Sequence, residues 1–170
     1  MKYLLLLILG GAFFSCNINK GFTTITFVSH VDRKQSKIVK YSMKIPVGYK
    51  LVIGVGGHGE KENEYNYQDL SHIYISEFPS GLANYDNIKS LGDSLARKRF
   101  EGIEDYELSK AIAQLQGKEY VREDMMLEGI NSQKLYWKDM RIGFISVGYN
   151  NVPASQKDKF DSSLKSFSKK

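Results

Sequence analysis

The sequence predicts an α+β fold, in which a largely antiparallel sheet is flanked by helices. Apolar and polar residues alternate with a period of two on both sides of a Pro-Gly turn near residue 47. Helical patterns follow between residues 87 and 115, and a further alternation near residue 147 precedes an amphipathic C-terminal stretch. Strands followed by helices, then by more strands and a closing helix, are typical of an antiparallel sheet covered by helices.

The first part of the chain contains the clearest strand patterns. Residues 22–29 are rich in β-branched and apolar side chains, which favours a strand. Two alternating segments follow, and because only residues 46–48 separate them, we expect an antiparallel pair. Shorter strands are expected at residues 64–67 and 73–76, around a polar turn. The alternating apolar residues are Val39, Tyr41, Met43 and Ile45 in the first segment, and Tyr49, Leu51, Ile53 and Val55 in the second.

Two helical patterns occupy the middle of the chain. The first covers residues 87–100, and the second lies between Gly102 and Gly117, two glycines that are suitable helix ends. Each pattern places its apolar residues on one helical face. These residues are Ile88, Leu91 and Leu95 in the first helix, and Leu108, Ala111, Ile112 and Leu115 in the second.

The chain then returns to strands. Residues 120–127, 134–138 and 142–149 have strand character. The short connection at residues 139–141 predicts a hairpin, because parallel neighbours need a crossover of about a dozen residues.

A C-terminal helix closes the predicted fold. Ser155 and Asp158 fit a capping box at its start. Phe160, Leu164 and Phe167 form an apolar stripe on one face, so the helix needs a sheet surface to cover it.

The N-terminus combines a positive charge, an apolar run and a single cysteine. Lys2 precedes an apolar run over residues 3–14, which is shorter than the roughly 20 residues of a membrane-spanning helix. We therefore expect residues 1–15 to be a removable signal peptide. The following Cys16 is the only cysteine of the chain. The sequence Phe13-Phe14-Ser15-Cys16 resembles the bacterial lipobox, whose cysteine receives the lipid, although Phe14 is larger than the Ala or Ser usual at its position.

Lipidation of Cys16 determines the expected organisation and location. Residues 16–21 are then a lipidated tether and residues 22–170 a single α+β domain. The expected partners are the membrane, through the lipid on Cys16, and an envelope protein. Since Asn17 does not match the Asp-type retention signal of enteric bacteria, we expect the outer membrane, facing the periplasm. An ordinary signal peptide that leaves a thiol behind, or a buried cysteine, is the alternative.

The charge distribution argues against a nucleic-acid partner. Without residues 1–15 the chain retains 23 basic and 19 acidic residues, a net charge of +4. Basic and acidic residues are interspersed, for example over residues 118–124, whereas nucleic-acid-binding proteins cluster Lys and Arg on one face.

Four segments of the chain have a recognisable order: residues 43–50 (MKIPVGYK), 135–138, 146–149 and 160–167. The first resembles the opening strand and Pro-Gly turn of the PsbP-like proteins, and the other three resemble the closing strands and helix of that fold. The resemblance implies an α/β/α sandwich. Because these segments are turn and packing elements, the resemblance assigns no binding or catalytic residue. In general style the chain is also similar to small lipoproteins of Bacteroidota-type bacteria.

The glycine-rich residues 54–60 are the most prominent candidate for chemistry. They lack a G-x-G-x-x-G pattern that enters a helix, so a strand connection is a better interpretation than a phosphate cradle. A metal site would need ligands from separate segments without the i, i+4 spacing of helical zinc motifs, which favours solvated side chains. We therefore predict no metal, cofactor or catalytic residue. The residues of the alternative metal site are His58, Glu60, Glu62 and Glu64, joined by His72 or His30.

The tyrosines offer a further candidate surface. Tyr65, Tyr67, Tyr74 and Tyr85 are close in sequence, and Tyr136 precedes Trp137. Exposed aromatic residues anchor interfaces. On strands, half-buried core positions are the more frequent role, and we expect that role here.

The function expected from these features is that of a non-enzymatic, membrane-anchored module that binds or assembles a protein in the cell envelope. Recognition would use one sheet face or residues 54–64. The alternative is an envelope hydrolase or metal-dependent enzyme that uses the His58 loop, and a third hypothesis is a carrier of a small ligand in an apolar cavity.

Overall fold

The computed structural model describes residues 21–32, 37–56, 59–78, 84–95, 105–121 and 124–170. In these ranges the helices are α1 (Tyr85–Ser90), α2 (Asp105–Leu115) and α3 (Lys157–Lys165), and a 3-10 turn (Ala154–Gln156) precedes α3. The strands are β1 (Phe22–Asp32), β2 (Lys37–Pro46), β3 (Lys50–Val55), β4 (Lys61–Asn66), β5 (His72–Ser76), β6 (Asp124–Ile130), β7 (Tyr136–Ile142), β8 (Ile145–Val152) and β9 (Ser168–Lys169).

The strands form two sheets. The first has the order β1-β2-β9, and the second has the order β3-β4-β5-β8-β7-β6. Every strand pair in both sheets is antiparallel. The α+β class and the largely antiparallel sheet are therefore confirmed.

The predicted pairing of β2 with β3 is wrong. β2 pairs with β1 and β9, whereas β3 pairs with β4 in the other sheet. At the turn between them the Val47 N–H donates to the Gly21 carbonyl (3.1 Å), and Gly48 has φ of 90°. The positive φ, which glycine adopts without steric cost, turns the chain out of the first sheet.

The larger apolar core combines both sheets with α3. Phe27 of β1, Met43 of β2, Ile75 of β5 and Val147 of β8 are buried in it together with Phe160 of α3. The predicted stripe of the C-terminal helix is thus confirmed. Leu164 is also buried, and the partly buried Phe167 stacks on Tyr41 with ring centroids 5.3 Å apart.

A second apolar core lies between the other helices and strands β6 and β7. Ile88 of α1, Leu108 and Ile112 of α2, Leu127 of β6 and Trp137 of β7 are buried there. Side chains of β7 alternate between the two cores, because successive residues of a strand point to opposite faces. Trp137 lies in the second core, whereas Tyr136 and Met140 pack against the first.

The middle helices differ from the predicted ones. α1 ends at Ser90, and Gly92 has φ of 137°, which is incompatible with a continuous helix. Residues 93–95 are helical again, and Gly102 lies outside the described residues. Gly117 follows α2 with φ of 64°, as predicted for a helix end, but Leu115 is exposed and leaves the apolar face narrower than expected.

The β7–β8 hairpin exists, but its turn lies later than predicted. Residues 139–141 belong to β7, and the turn is formed by Gly143 and Phe144. Gly143 has φ of 60°, which a two-residue hairpin turn requires at its first central position.

The predicted capping box of Ser155 and Asp158 is wrong. Ser155 lies inside the 3-10 turn, and the residue at the N-cap of α3, Gln156, makes no side-chain capping hydrogen bond. The helix begins instead from the turn, in which the Gln156 N–H donates to the Pro153 carbonyl (2.9 Å).

Replacing Phe160 tests whether the larger core depends on α3. Phe160→Ala should lower the free energy of unfolding by about 3–5 kcal/mol, because it removes a fully buried ring. Urea denaturation measures the change. The matched control is Phe144→Ala, whose ring is 75% exposed and whose loss should cost less than about 0.5 kcal/mol. Equal effects of the two substitutions would contradict the packing described here.

Candidate functional site

Strand β3 forms an edge of the six-stranded sheet and exposes apolar side chains. Among the described strands it pairs with β4 alone. Ile53 is 65% exposed and Val55 70% exposed, and Leu51 and Val52 are each 43% exposed. Four large aliphatic side chains of a six-residue strand therefore contact water, on a strand whose one charged residue is Lys50.

The main chain of β3 also has hydrogen-bonding groups that face away from the sheet. The Gly56 N–H donates to the Glu60 carbonyl (2.6 Å), which identifies a hydrogen-bonded pair at the β3–β4 turn. Such pairs recur at every second residue of an antiparallel ladder, so Gly54 and Val52 bond to β4. The N–H and C=O groups that point toward the open edge belong to Leu51, Ile53 and Val55.

The opposite edge of the same sheet, β6, is covered. The Gln116 amide donates to the Glu128 carbonyl (2.6 Å), and the Lys118 ammonium donates to the Met126 carbonyl (3.0 Å). Asp124 and Glu128 also place negative charge on this strand. Covering and charging an edge prevents another strand from pairing with it. Within the described ranges, neither protection is found on β3 along Leu51 to Val55.

A buried carboxylate connects the central strands β5, β7 and β8. Asp139 Oδ1 accepts hydrogen bonds from the hydroxyls of Tyr74 (2.6 Å) and Ser146 (2.5 Å), and all three side chains are buried. Burial, reinforced by the charge of Asp139, raises the pKa of Tyr74 well above its usual range, so the phenol stays a donor. The Tyr74 ring passes over Gly148 of β8, where an added Cβ would overlap the phenol oxygen and the Lys138 carbonyl.

A chain of side-chain hydrogen bonds links α1 to the sheet near the other end of β8. Asn87 Nδ2 donates to Asn150 Oδ1 (2.5 Å), and Asn150 Nδ2 lies 3.1 Å from His72 Nε2. With Asn150 as the donor, His72 Nε2 must be an unprotonated acceptor. Burial lowers the pKa of His72, which favours this neutral imidazole.

A network of ion pairs attaches α3 to the six-stranded sheet. Lys138 Nζ lies 2.8 Å from Asp161 Oδ1 and 2.9 Å from Glu128 Oε2. Asp161 also pairs with Lys157 (2.6 Å) and accepts a hydrogen bond from the Tyr149 hydroxyl (3.0 Å). Burial alone would lower the pKa of Lys138, but the hydrogen bonds to Asp161 and Glu128 raise it above its ordinary value. Lys138 therefore stays charged.

An open cleft of about 410 Å³ lies at the end of the fold where the described chain begins. It is lined by residues 46–48 and 67–69, together with Gln156 and Lys159. The Tyr67 hydroxyl donates to the Pro46 carbonyl (2.9 Å), and Gln156 Nε2 donates to Asp69 Oδ2 (2.9 Å). These bonds hold the two turns and the start of α3 together.

The residues of the alternative metal site are only partly described. Glu62 and Glu64 lie on β4, and His72 on β5 is bonded to Asn150. His58 and the side chain of His30 lie outside the described residues, as does Cys16. Within the ranges given above, no group of three or more His, Cys, Asp or Glu residues is placed to hold a metal ion.

The tyrosines occupy core positions, as predicted. Tyr65 and Tyr74 are buried, and the partly buried Tyr67 and Tyr136 pack against the larger core. Tyr67 contacts Phe160 edge-on, with ring centroids 5.3 Å apart. The side chain of Tyr85 lies outside the described part of the chain.

The exposed β3 edge was missed by the sequence analysis, although the sequence contains a signal for it. Leu51, Val52 and Ile53 are consecutive apolar residues, and successive residues of a strand point to opposite faces. A layer that packs on one face of the sheet therefore cannot bury all three side chains.

Comparison with protein-family models, with curated proteins and with solved structures finds no match for this chain. Where the chain is described, none of its helices has the length and apolar character needed to cross a bilayer.

Substitution of Gly148 tests the buried network around Asp139. Gly148→Ala should destabilise the fold by about 1–3 kcal/mol, because the new Cβ overlaps Tyr74 and the β7 main chain. Thermal denaturation measures this loss. Gly54→Ala is the matched control, since its Cβ would only reach ordinary contact with Glu62 at 3.8 Å and should change stability by less than about 1 kcal/mol. The account of Tyr74 fails if Gly148→Ala is as stable as the control.

Replacing His72 tests its neutral state. Because the folded pKa of His72 lies below the unfolded value of about 6.5, the unfolded chain binds more protons and stability falls as the pH drops below that value. His72→Gln should remove this part of the pH dependence. Urea denaturation of both proteins between about pH 7.5 and about pH 5 measures it. An unchanged slope in the variant would show that His72 does not titrate as described.

Proposed function

We propose that this protein is a lipid-anchored, non-enzymatic module of the cell envelope that binds an extended segment of another envelope protein along β3. Its signal peptide is residues 1–15, its lipid is on Cys16, and its location is the outer membrane, facing the periplasm. The observation that carries the binding role is the exposure of Leu51, Val52, Ile53 and Val55 on a strand with an open edge.

Strand addition fits the chemistry of this edge. An incoming strand would receive main-chain hydrogen bonds from Leu51, Ile53 and Val55, while its own side chains cover the aliphatic residues. Because β3 is apolar between Lys50 and Gly56, the matching segment is uncharged and rich in β-branched or aromatic residues. The hydroxyls of Tyr74 and Ser146 both donate to Asp139 Oδ1, which supports a structural role for this buried carboxylate.

The PsbP-like α/β/α arrangement belongs to the same proposal. Two helices, α1 and α2, contact β6, while α3 contacts β2 and β8. The alternation of β7 between the two cores is compatible with helices on both faces of the six-stranded sheet.

The partner proposed for β3 is a different envelope protein. Antiparallel pairing of β3 with a second copy of this chain, related by a two-fold axis, is the other way to cover the edge. The crosslinking experiment below distinguishes the two.

A pair of substitutions at Ile53 tests strand addition in cells. Ile53→Pro removes an N–H that points to the open edge and leaves the β3–β4 hydrogen bonds intact, whereas Ile53→Ala keeps the N–H. A photo-crosslinking residue at Val55, whose side chain is 70% exposed, should capture one discrete adduct. We expect Ile53→Pro to reduce that adduct about tenfold, the effect of about 1.4 kcal/mol, and Ile53→Ala to reduce it much less.

The stability of each variant provides the control for misfolding. Both Ile53 variants should unfold at urea concentrations close to that of the parent, since Ile53 lies at an exposed edge. An adduct that forms equally in the Pro and Ala variants would exclude main-chain pairing. An adduct of two copies of this chain would identify self-association in its place.

A further inference from the structure

The contacts of Gly21 and Phe22 show where the chain enters the fold. Gly21 accepts a hydrogen bond from Val47, and Phe22 pairs with Pro46. Lys159 Nζ lies 5.7 Å from the centroid of the Phe22 ring. The chain therefore enters the fold beside the open cleft, at the end of the molecule that contains the turns at residues 46–48 and 67–71.

The chain between the proposed lipid and Gly21 is shorter than the fold. Cys16 precedes Gly21 by five residues, which span at most about 17 Å even when fully extended. β8 starts next to the Gly143–Phe144 turn and ends near the cleft, and its eight residues cover about 25 Å. A lipid on Cys16 can therefore keep the cleft end at the bilayer, while the Phe144 end lies farther away.

The surface at the cleft end has the composition of a membrane contact. Leu70 is 78% exposed and Val47 is 48% exposed. Leu70 also has φ of 68°, in the left-handed region that non-glycine residues rarely occupy. Lys50 and Lys159 are exposed at the same end and can approach lipid phosphates.

We propose that the cleft end faces the bilayer, with Leu70 and Val47 in the headgroup region and Lys50 and Lys159 close to the phosphates. This inference rests on the proposed acylation of Cys16. The short tether makes the contact effectively intramolecular, so two apolar side chains and two cations are sufficient to orient the domain. β3 then runs away from the membrane from Lys50 to Val55, and its open edge is accessible to a partner in the aqueous compartment.

Fluorescence quenching on vesicles tests the orientation. Since Cys16 is the only natural cysteine, a second cysteine can be labelled selectively once Cys16 carries lipid. The labelled variants are Gln68→Cys, next to the cleft, and Phe144→Cys, at the far end. The full lipidated chain is placed in vesicles of phosphatidylethanolamine and phosphatidylglycerol that contain a nickel-chelating quencher lipid. We expect several-fold stronger quenching at position 68 than at position 144.

A further variant tests whether the Leu70 side chain contacts the bilayer or the cleft end only lies close to it. Leu70→Asn tolerates the left-handed backbone but removes the apolar side chain, so it should weaken the quenching at position 68. Equal quenching at both positions, or stronger quenching at position 144, would overturn the orientation. Unchanged quenching in Leu70→Asn would overturn the contact by Leu70. If the chain does not associate with the vesicles, the proposed lipid anchor is wrong. If the orientation is lost but the β3 adduct still forms, only the orientation is wrong and the proposed binding role stands.

Discussion

The three-stranded and six-stranded sheets share one core because α3 buries Phe160 and Leu164 between them. Phe160 contacts the rings of Tyr67 and Tyr149, so a single side chain touches the end of β4 and the centre of β8. The pairing of Lys138 with Asp161 fixes the rotation of the helix on the sheet. Without this helix, the side chains that pack against Phe160 and Leu164 would contact water, and burial of apolar surface is the dominant favourable term in folding.

The same arrangement determines which surfaces remain open. α3 and the first sheet cover the central strands, and side chains that follow α2 cover the main chain of β6. β3 forms the other edge of this sheet, and its aliphatic residues are exposed. β3 also begins beside the turn that bonds to Gly21. The proposed anchor would therefore hold the Lys50 end of β3 near the membrane.

Local sequence patterns predicted most strands, since alternation such as Val39 to Ile45 directly reflects one-sided burial. They predicted the β7–β8 hairpin. They did not predict the separation of β2 from β3, because it depends on Gly48 and on a contact with Gly21. The alternation of apolar residues in β3 was also ambiguous, because an edge strand can have this pattern even when no other layer covers its side chains. The networks around Asp139 and His72 join residues more than sixty positions apart, so no local pattern reports them.

The proposed membrane location depends on acylation of Cys16, which the intact mass of the protein from native cells tests most directly. We expect a chain that begins at Cys16 and carries the added mass of its acyl groups. A chain that retains Met1, or one that begins at Cys16 with an unmodified thiol, would contradict it.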